Sequence, residues 1–178
     1  MELLVGCGST PAEKRLSLPD KPEWTKLVTL DFNADHKPDV VWDLTKRPLP
    51  FDDDTFDEIH AYDTLEHLSQ QGDWRSFFEE WSEWWRILKP GGMIFATSPS
   101  VYSPWLWGDP GHTRVMTQEC LVYLHQPAYT EQIGVTRMSD YRFVYKADFD
   151  ICMTNNTADD FEYVLKAVKP SRIHEKTP

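Results

Sequence analysis

The sequence is poor in cysteine and contains no long hydrophobic run. Its 178 residues include three cysteines, Cys7, Cys120 and Cys152, and no CxxC pair. An odd number of isolated cysteines argues against a disulfide framework and a zinc knuckle, so a reducing cytoplasm is the simplest location. No apolar run approaches the ~18–20 residues that a membrane span needs, and Glu2 lies where a signal peptide would carry positive charge. We therefore expect a soluble cytoplasmic protein with no membrane partner.

Positive charge is also scarce. The 18 Lys and Arg residues are outnumbered by 29 Asp and Glu residues, giving a formal net charge of −11. Nucleic-acid binding depends on clustered Lys and Arg that displace counterions, so a DNA or RNA substrate is disfavoured. The chain does contain 40% hydrophobic residues and eight Trp, the composition of a folded globular protein. Its length suits one domain, which we place at residues 1–170, followed by a frayed tail at residues 171–178.

Short apolar runs predict five buried strands. The first, Leu3–Val5, ends at a glycine, while Leu27–Leu30 and Val40–Trp42 each stop at an aspartate. Phe56–Tyr62 forms a fourth run, and the segment "MIFAT" forms a fifth. These runs alternate with connecting segments long enough for crossovers, which is typical of a parallel sheet.

Two helices are predicted between these strands. Thr10 is a candidate N-cap, with Pro11 at the first helical position and Glu13 three residues after the cap, so a helix should start directly after the first strand. The clearest helix is "DWRSFFEEWSEWWRILKPGG", in which aromatic residues recur at helical spacing until Pro90 and the two glycines that follow. We interpret these aromatics as core packing against the sheet, not as a platform for stacking bases.

The C-terminal half is less regular. Residues 98–139 are rich in Pro and aromatics and predict an irregular lid or acceptor region, within which Thr117 caps a short helix. Apolar residues then alternate from Tyr141 to Met153 and again over Phe161–Val168, which predicts an antiparallel hairpin. The fold class is therefore α/β: a Rossmann-like open, mostly parallel sheet with helices on both faces and a C-terminal antiparallel hairpin.

The residues that end the strands carry the candidate chemistry, because ligands of open parallel sheets bind outside the carboxyl ends of the strands. Gly6 and Gly8 would let the backbone approach a bulky ligand, although a tight strand-to-helix turn also needs glycine. Asp31 follows at about the offset where a carboxylate binds ribose hydroxyls. A nicotinamide dinucleotide is the weaker alternative, because Pro11 stands where its motif requires a third glycine.

A longer succession of motifs is more specific. The stretches "LLVGCGS", "VTLDF", "VVWDLTKRPLPFDDDTFDEIHAYDTLEHL" and "WWRILKPGGMIFATSPS" follow one another over about the first hundred residues. In this order they resemble the class I S-adenosylmethionine-dependent methyltransferases, particularly the small type-11 group often found in bacteria and phages. The resemblance implies methyl transfer from S-adenosylmethionine, with S-adenosylhomocysteine as product, to an acceptor that is most simply a small molecule.

The resemblance also implies the cofactor-binding residues. Asp31 would accept hydrogen bonds from the ribose hydroxyls, and Asp43 with the Leu44 backbone would meet the adenine. The remaining residues would lie near the methionine portion of the cofactor or the transferred methyl: Gly6, Cys7, Gly8, Tyr62 and Asp63. No metal is required, since a sulfonium cofactor already carries an activated methyl group.

The chain departs from the family pattern near its first strand. Leu4 stands at the usual acidic position and Thr10 at the third glycine, and we expect no counterpart of the helical segment that precedes the first strand in many relatives. These departures motivate an alternative function, a protein that binds or consumes S-adenosylmethionine without transferring its methyl group to an acceptor. A weaker alternative is an NAD-dependent oxidoreductase.

Two histidines are candidate catalytic residues. His67, in "LEHL", could act as a general base or could brace the following helix, and His112, in "GDPGHTRV", could contact the acceptor or could be a satisfied loop histidine. A metal site made of His60, Asp63, Glu66 and His67 is a poor interpretation, because no paired-histidine spacing occurs among them. The loop aromatics could wall an acceptor site, pack under the loop or form a homodimer contact: Tyr102, Trp105 and Trp107.

Overall fold

The described residues, 1–9 and 13–173 of a computed structural model, form a sheet of seven strands. The strands are β1 (Glu2–Val5), β2 (Leu27–Asp31), β3 (Val40–Val41), β4 (Phe56–Tyr62), β5 (Leu88–Pro99), β6 (Phe149–Asn156) and β7 (Asp160–Ala167). Their order is β3-β2-β1-β4-β5-β7-β6, with β1 to β5 parallel and β7 antiparallel to both of its neighbours. The predicted Rossmann-like fold with a C-terminal antiparallel hairpin is confirmed.

The order of the strands reverses at β1, which lies between β2 and β4. Val5, the last residue of β1, is level with Leu30 on one side and Ala61 on the other. The residues that follow these three strands therefore emerge together at one edge of the sheet, where α/β proteins of this type bind their ligands.

One long helix packs its aromatic side chains into the main core on one face of the sheet, which we call the first face. α1 (Trp74–Ile87) starts at the N-cap Asp73, whose carboxylate accepts a hydrogen bond from the Ser76 N–H. Its buried apolar side chains belong to the same core cluster as those of β1 and β4: Phe77, Phe78, Trp81, Trp84 and Ile87. The predicted core role of the helix aromatics is confirmed. The helix ends earlier than predicted, because Leu88 pairs with Phe56 and already belongs to β5.

The second face of the sheet is covered differently from what the sequence predicted. The expected helix start at residues 10–12 lies outside the described residues, and residues 13–26 contain no helix. Instead, the ammonium of Lys14 is buried between the carboxylates of Glu2 and Glu58, at 3.0 and 2.8 Å. The continuation of a helix after Glu13 was therefore wrong. This buried ion pair ties the connection to β1 and β4.

The region before the hairpin is more ordered than its sequence suggested. It contains α2 (Trp105–Gly108), α3 (Gln118–Leu121) and α4 (Gln126–Gln132), and a 3-10 turn at Val122–Leu124 links the last two. The predicted strand from Tyr141 was wrong up to residue 148, and β6 begins only at Phe149. Tyr141 and Tyr145 instead pack on Phe78 of α1, with ring centroids 4.9 and 4.8 Å apart. Alternating aromatics here serve helix packing, not strand pairing.

The segment expected to be a frayed tail begins with an anchored residue. The guanidinium of Arg172 contacts the carboxylates of Asp148 and Asp150, each at 2.7 Å. Residues 174–178 lie outside the described part of the chain. Among the described residues, the helices are all too short or too polar to cross a bilayer.

Candidate active site

A cavity of about 810 Å³ opens at the carboxyl ends of β1, β2 and β4. We call it the first cavity. Its lining includes most of the cofactor residues predicted from the sequence: Gly6, Gly8, Asp31, Asp43, Leu44 and Asp63. It also includes His67, which was predicted as a catalytic residue. The topology therefore brings these residues to one place although they are spread over sixty positions of the sequence.

The two glycines after β1 are required for different reasons. Both adopt positive φ angles, +62° at Gly6 and +65° at Gly8, which side chains disfavour. A Cβ at Gly6 would lie 2.5 Å from the Thr64 hydroxyl oxygen, whereas a Cβ at Gly8 would meet nothing within 4 Å. Gly6 thus lets the loop pack against the chain itself, and only Gly8 leaves open space towards a ligand.

Asp31 is held as an anion at the end of β2. Its carboxylate accepts hydrogen bonds from the backbone N–H groups of Gly8 and Asn33, at 3.0 and 2.8 Å, and lies 3.2 Å from Nδ1 of His36. Burial raises the pKa of this carboxyl, but these neighbours together outweigh burial and bring the pKa below its ordinary value. The result is a fixed, ionised acceptor for hydroxyl donors at the cavity wall.

Asp43 and its neighbours form the other end of the first cavity. The Asp43 carboxylate accepts hydrogen bonds from the hydroxyl and the N–H of Thr45, which lower its pKa. Phe32 and Trp42 also line the cavity, and Phe32 is 77% exposed. The sequence interpretation missed both aromatics. The signal was available for Phe32, because it directly follows the strand-ending carboxylate.

Asp63 stands at the end of β4 in a strained conformation, with φ of 51°. Its N–H donates to the Thr97 carbonyl, and the Thr97 hydroxyl donates to its carboxylate, both at 3.0 Å. The guanidinium of Arg15 contacts the other carboxylate oxygen at 2.7 Å. Neighbouring β5 and the segment after β1 therefore fix the position of this carboxylate.

Two of the predicted cofactor residues do not line the first cavity. The side chains of Cys7 and Tyr62 are buried with Leu4 on the second face of the sheet. The Tyr62 hydroxyl lies 2.8 Å from Nδ1 of His60 and accepts a hydrogen bond from the Leu16 N–H. Burial lowers the pKa of His60 to about 4, so this buried pair is neutral. Alternation along β4 explains the placement, since Tyr62 points away from the face that Ala61 shares with α1.

A second cavity of about 500 Å³ adjoins the first, and Asp63 lines both. We call it the second cavity. Its other lining residues come from the turn after β4, from β5 and the loop after it, and from the hairpin: Glu66, Pro99, Ser103, Trp105, Asp109, His112, Asp159 and Asp160. His112, the predicted acceptor contact, is one of the residues that line this cavity. Of the loop aromatics, only Trp105 lines this cavity, while Tyr102 and Trp107 are mostly exposed and do not pack under the loop.

Glu66 has one buried carboxylate oxygen without a hydrogen-bond partner among the described residues. Its side chain is fully buried, the Ser98 hydroxyl donates to Oε2 at 3.0 Å, and Oε1 has no hydrogen-bond partner among the described residues. Burial raises the pKa of Glu66 to about 7. Nε2 of His112 lies 3.9 Å from the unpartnered oxygen, and the His67 and His112 rings are 4.7 Å apart. The two predicted catalytic histidines therefore meet at the boundary of the cavities.

A family model described as "Methyltransferase domain" matches residues 3–96, more than half of the chain. The chain belongs to this methyltransferase family. The match, together with the fold, confirms the predicted class I assignment and S-adenosylmethionine as the cofactor. No curated protein matches the sequence.

Solved methyltransferase structures share the fold at low sequence identity. A SAM-dependent methyltransferase from Archaeoglobus fulgidus is 17% identical, with a TM-score of 0.56 over 93% of this chain and 85% of that chain. The N-methyltransferase NodS from Bradyrhizobium japonicum, in complex with S-adenosyl-L-homocysteine, is 14% identical, with a TM-score of 0.54 over 93% and 76%. A complex containing the Haloferax volcanii Trm112 methyltransferase activator gives 15% identity and a TM-score of 0.55 over 94% and 82%. At these identities the likeness concerns the fold.

The first cavity of this methyltransferase has the chemistry that an adenosyl cofactor needs. Asp31 offers an ionised acceptor for ribose hydroxyls, and Phe32, Trp42 and Leu44 offer apolar surface for a purine. The open space beside Gly8 leaves room for the backbone to lie against the ligand. The residues present therefore fit the cofactor.

Proposed function

We propose that this methyltransferase transfers the methyl group of S-adenosylmethionine to a small-molecule acceptor bound in the second cavity. The observation that carries the proposal is the position of Asp63, which lines both cavities. A cofactor in the first cavity would present its sulfur end at Asp63, directly beside the space that His112 and Trp105 enclose. Alignment of the two reactants at this junction would then supply most of the catalysis.

On the cofactor side, Asp31 would accept the ribose hydroxyls and Asp43, with the Leu44 backbone, would meet the adenine edge. Phe32 would stack on the adenine, because its ring is exposed at the cavity mouth. The backbone around Gly8 would lie against the methionine portion. Cys7 and Tyr62 would contribute through their backbone only, since their side chains belong to the second face of the sheet.

On the acceptor side, the cavity is small and acidic. A volume of about 500 Å³ suits a small molecule. Its wall carries the carboxyl groups of Asp63, Glu66, Asp109, Asp159 and Asp160. These groups would repel the phosphates of a nucleic acid, in keeping with the net charge of −11. An uncharged or cationic small molecule is therefore the acceptor class that we propose.

Bound S-adenosylmethionine supplies an electrophilic methyl carbon, which needs no acid catalyst. The contribution of the chain would be to orient the acceptor and to receive its proton. His112 is suited to this, because Nδ1 lies 3.3 Å from the Leu106 carbonyl oxygen, which leaves Nε2 facing the cavity. His67 stands beside it and is the second candidate.

Calorimetric titration with S-adenosylmethionine, S-adenosylhomocysteine and NAD, on wild type and Asp31→Ala, tests the cofactor half of the proposal. We expect both sulfur nucleosides to bind wild type, the Asp31→Ala variant to bind them more weakly, and NAD not to bind. If NAD binds and the sulfur nucleosides do not, the protein is an oxidoreductase.

Turnover of the cofactor with fractionated small-molecule extract, on wild type and His112→Ala, tests the acceptor half. We expect a methylated product that depends on His112. Cofactor binding without any methylated product would favour a protein that binds or consumes S-adenosylmethionine without an acceptor.

A further inference from the structure

We propose that Glu66, His67 and His112 form a binding site for a divalent transition-metal ion such as Zn²⁺, at the junction of the two cavities. One ligand atom of each residue lies within 4.8 Å of those of the other two. His67 lines the first cavity, whereas Glu66 and His112 line the second. The site therefore occupies the point at which the cofactor and the acceptor would meet.

The two histidines are already held in the form that a metal requires. Nδ1 of His67 lies 3.0 Å from the Gly111 carbonyl oxygen, and Nδ1 of His112 lies 3.3 Å from the Leu106 carbonyl oxygen. A carbonyl can only accept, so in the neutral imidazole each Nδ1 carries the proton and each Nε2 offers its lone pair. Tying the second ring nitrogen to a backbone carbonyl is the usual support of a metal-binding histidine.

The buried carboxylate supplies the third ligand. Ser98 satisfies Oε2 of Glu66, while Oε1 is without a hydrogen-bond partner among the described residues although the side chain is fully buried. Leaving a buried carboxylate oxygen unpaired is costly, and a bound cation would remove that cost. Oε1 faces Nε2 of His112 at 3.9 Å, with Oδ2 of Asp109 at 3.9 Å from the same nitrogen.

The ligand set decides the type of metal. Two imidazoles and one carboxylate suit Zn²⁺, Co²⁺ and related ions, whereas Mg²⁺ and Ca²⁺ prefer oxygen ligands only. Three protein ligands also leave a coordination position open, as in catalytic zinc sites. Metal binding itself depends only on these side chains. Its role rests on the proposed function: the open position would hold an acceptor oxygen or nitrogen beside the transferred methyl group. With the metal bound, Nε2 of His112 serves as a ligand, and the proton-accepting role proposed for it above applies to the metal-free protein.

At the sequence level, a metal site was a poor interpretation because the residues tested all lie near His67, and no paired-histidine spacing occurs among them. His112 lies 45 positions further along the chain and reaches the cluster because two hydrogen bonds dock its loop onto the turn after β4. The N–H groups of Thr113 and Arg114 donate to the Glu66 carbonyl, at 2.9 and 3.0 Å. His112 thus joins the cluster through tertiary structure.

Titration of metal-free, untagged protein with Zn²⁺, and with Co²⁺ followed by its visible absorption, tests the proposal. We expect one Zn²⁺ per chain, and affinity at least roughly tenfold weaker in His67→Ala, His112→Ala and Glu66→Gln. His125→Ala is the matched control, since His125 contacts Phe149 and Arg172 outside the cluster, and it should bind like wild type. Mg²⁺ should not compete.

A positioning variant sharpens the test without removing a ligand. A Cβ at Gly111 would lie 3.1 Å from Nδ1 of His67, so Gly111→Ala should displace that ring and weaken Zn²⁺ binding while circular dichroism stays unchanged. The proposal is overturned if wild type binds no stoichiometric Zn²⁺, or if folded His67→Ala and His112→Ala bind it as tightly as wild type. Binding of S-adenosylhomocysteine to the same samples separates the two proposals, because either ligand can fail to bind while the other binds.

Discussion

The two cavities differ in how they hold their central carboxylate. Asp31 in the first cavity receives two backbone hydrogen bonds and has a neighbouring imidazole, so its pKa lies below the ordinary value. Glu66 in the second cavity has one hydroxyl donor and an unpartnered oxygen, and burial raises its pKa to about 7. The described residues supply hydrogen bonds to both oxygens of Asp31, whereas one oxygen of Glu66 has no partner among them.

This difference separates binding from chemistry. A cofactor site used in every turnover benefits from a carboxylate that is already ionised and fixed, because little reorganisation is then needed to bind the ribose hydroxyls. A reacting site benefits from a group that exchanges its hydrogen-bond partner when a ligand binds. Side chains with strongly shifted pKa values are concentrated at such functional sites. The first cavity should therefore respond to substitution mainly in cofactor affinity, and the second mainly in metal binding and turnover.

The largest expected effect concerns the loop that builds the first cavity. Gly6→Ala places a Cβ 2.5 Å from the Thr64 hydroxyl oxygen at a positive φ, so it should lower the free energy of unfolding by about 3 kcal/mol. Gly8→Ala meets no atom within 4 Å and should cost only about 1–2 kcal/mol, from its backbone conformation. Urea denaturation measures both. Equal losses in the two variants would mean that the Thr64 side chain moves aside at little cost, and would contradict the steric role assigned to Gly6.

A carboxyl group on α1, outside both cavities, tests the effect of burial on a pKa. Burial raises the pKa of Glu80 on α1 to about 7, from 4.5. The unfolded chain ionises first, so the stabilisation that protonated Glu80 contributes is fully present below pH 4.5 and is lost as the pH rises to about 7. Glu80→Gln lacks this loss, and its stability relative to wild type should improve by about 2–3 kcal/mol from pH 5 to pH 8. Parallel pH profiles from denaturant unfolding would show that Glu80 is ionised in the fold.

Removing the charge of each carboxylate in turn tests the comparison of the two cavities directly. Asp31→Asn removes the anion and should weaken S-adenosylhomocysteine binding by about 2 kcal/mol, a factor of about 30. Glu66→Gln, the matched change in the second cavity, should leave this affinity within about twofold. Calorimetry gives both values, and equal losses would contradict the assignment of the two carboxylates to different ligands.

The smallest expected effect belongs to the cavity mouth. Phe32→Ala should weaken S-adenosylhomocysteine binding by about 1 kcal/mol through lost stacking, whereas Trp105→Ala should not change it. Trp105→Ala should instead raise the KM of the acceptor. A loss of cofactor affinity in Trp105→Ala and none in Phe32→Ala would reverse the roles of the two cavities.

The sequence predicted the first cavity well because its residues obey a local rule. Asp31 is the last residue of β2 and Asp43 lies two residues after β3, and parallel strands bring such ends to one edge. The alternation of apolar and polar residues was a poorer guide. From Tyr141 to residue 148 it predicted a strand, but Tyr141 and Tyr145 pack on Phe78 of α1. Periodicity identifies an apolar face but not the element that covers it.

The second cavity could be predicted only in part. His112 and Trp105 were singled out from an irregular segment, but the unpartnered oxygen of Glu66 depends on contacts from Ser98 and the docked loop. Likewise, Lys14 was not expected to be buried, because its carboxylate partners Glu2 and Glu58 lie on two strands. Such ion pairs arise from sheet topology and leave no mark in local patterns.

A crystal structure with S-adenosylhomocysteine tests the division into two cavities most directly. We expect the ribose hydroxyls within hydrogen-bond distance of Asp31 and the thioether sulfur beside Asp63, facing the space lined by Glu66 and His112. A nucleoside bound in the second cavity, or one whose sulfur points away from Asp63, would contradict the central claim that the two cavities meet as one methyl-transfer site.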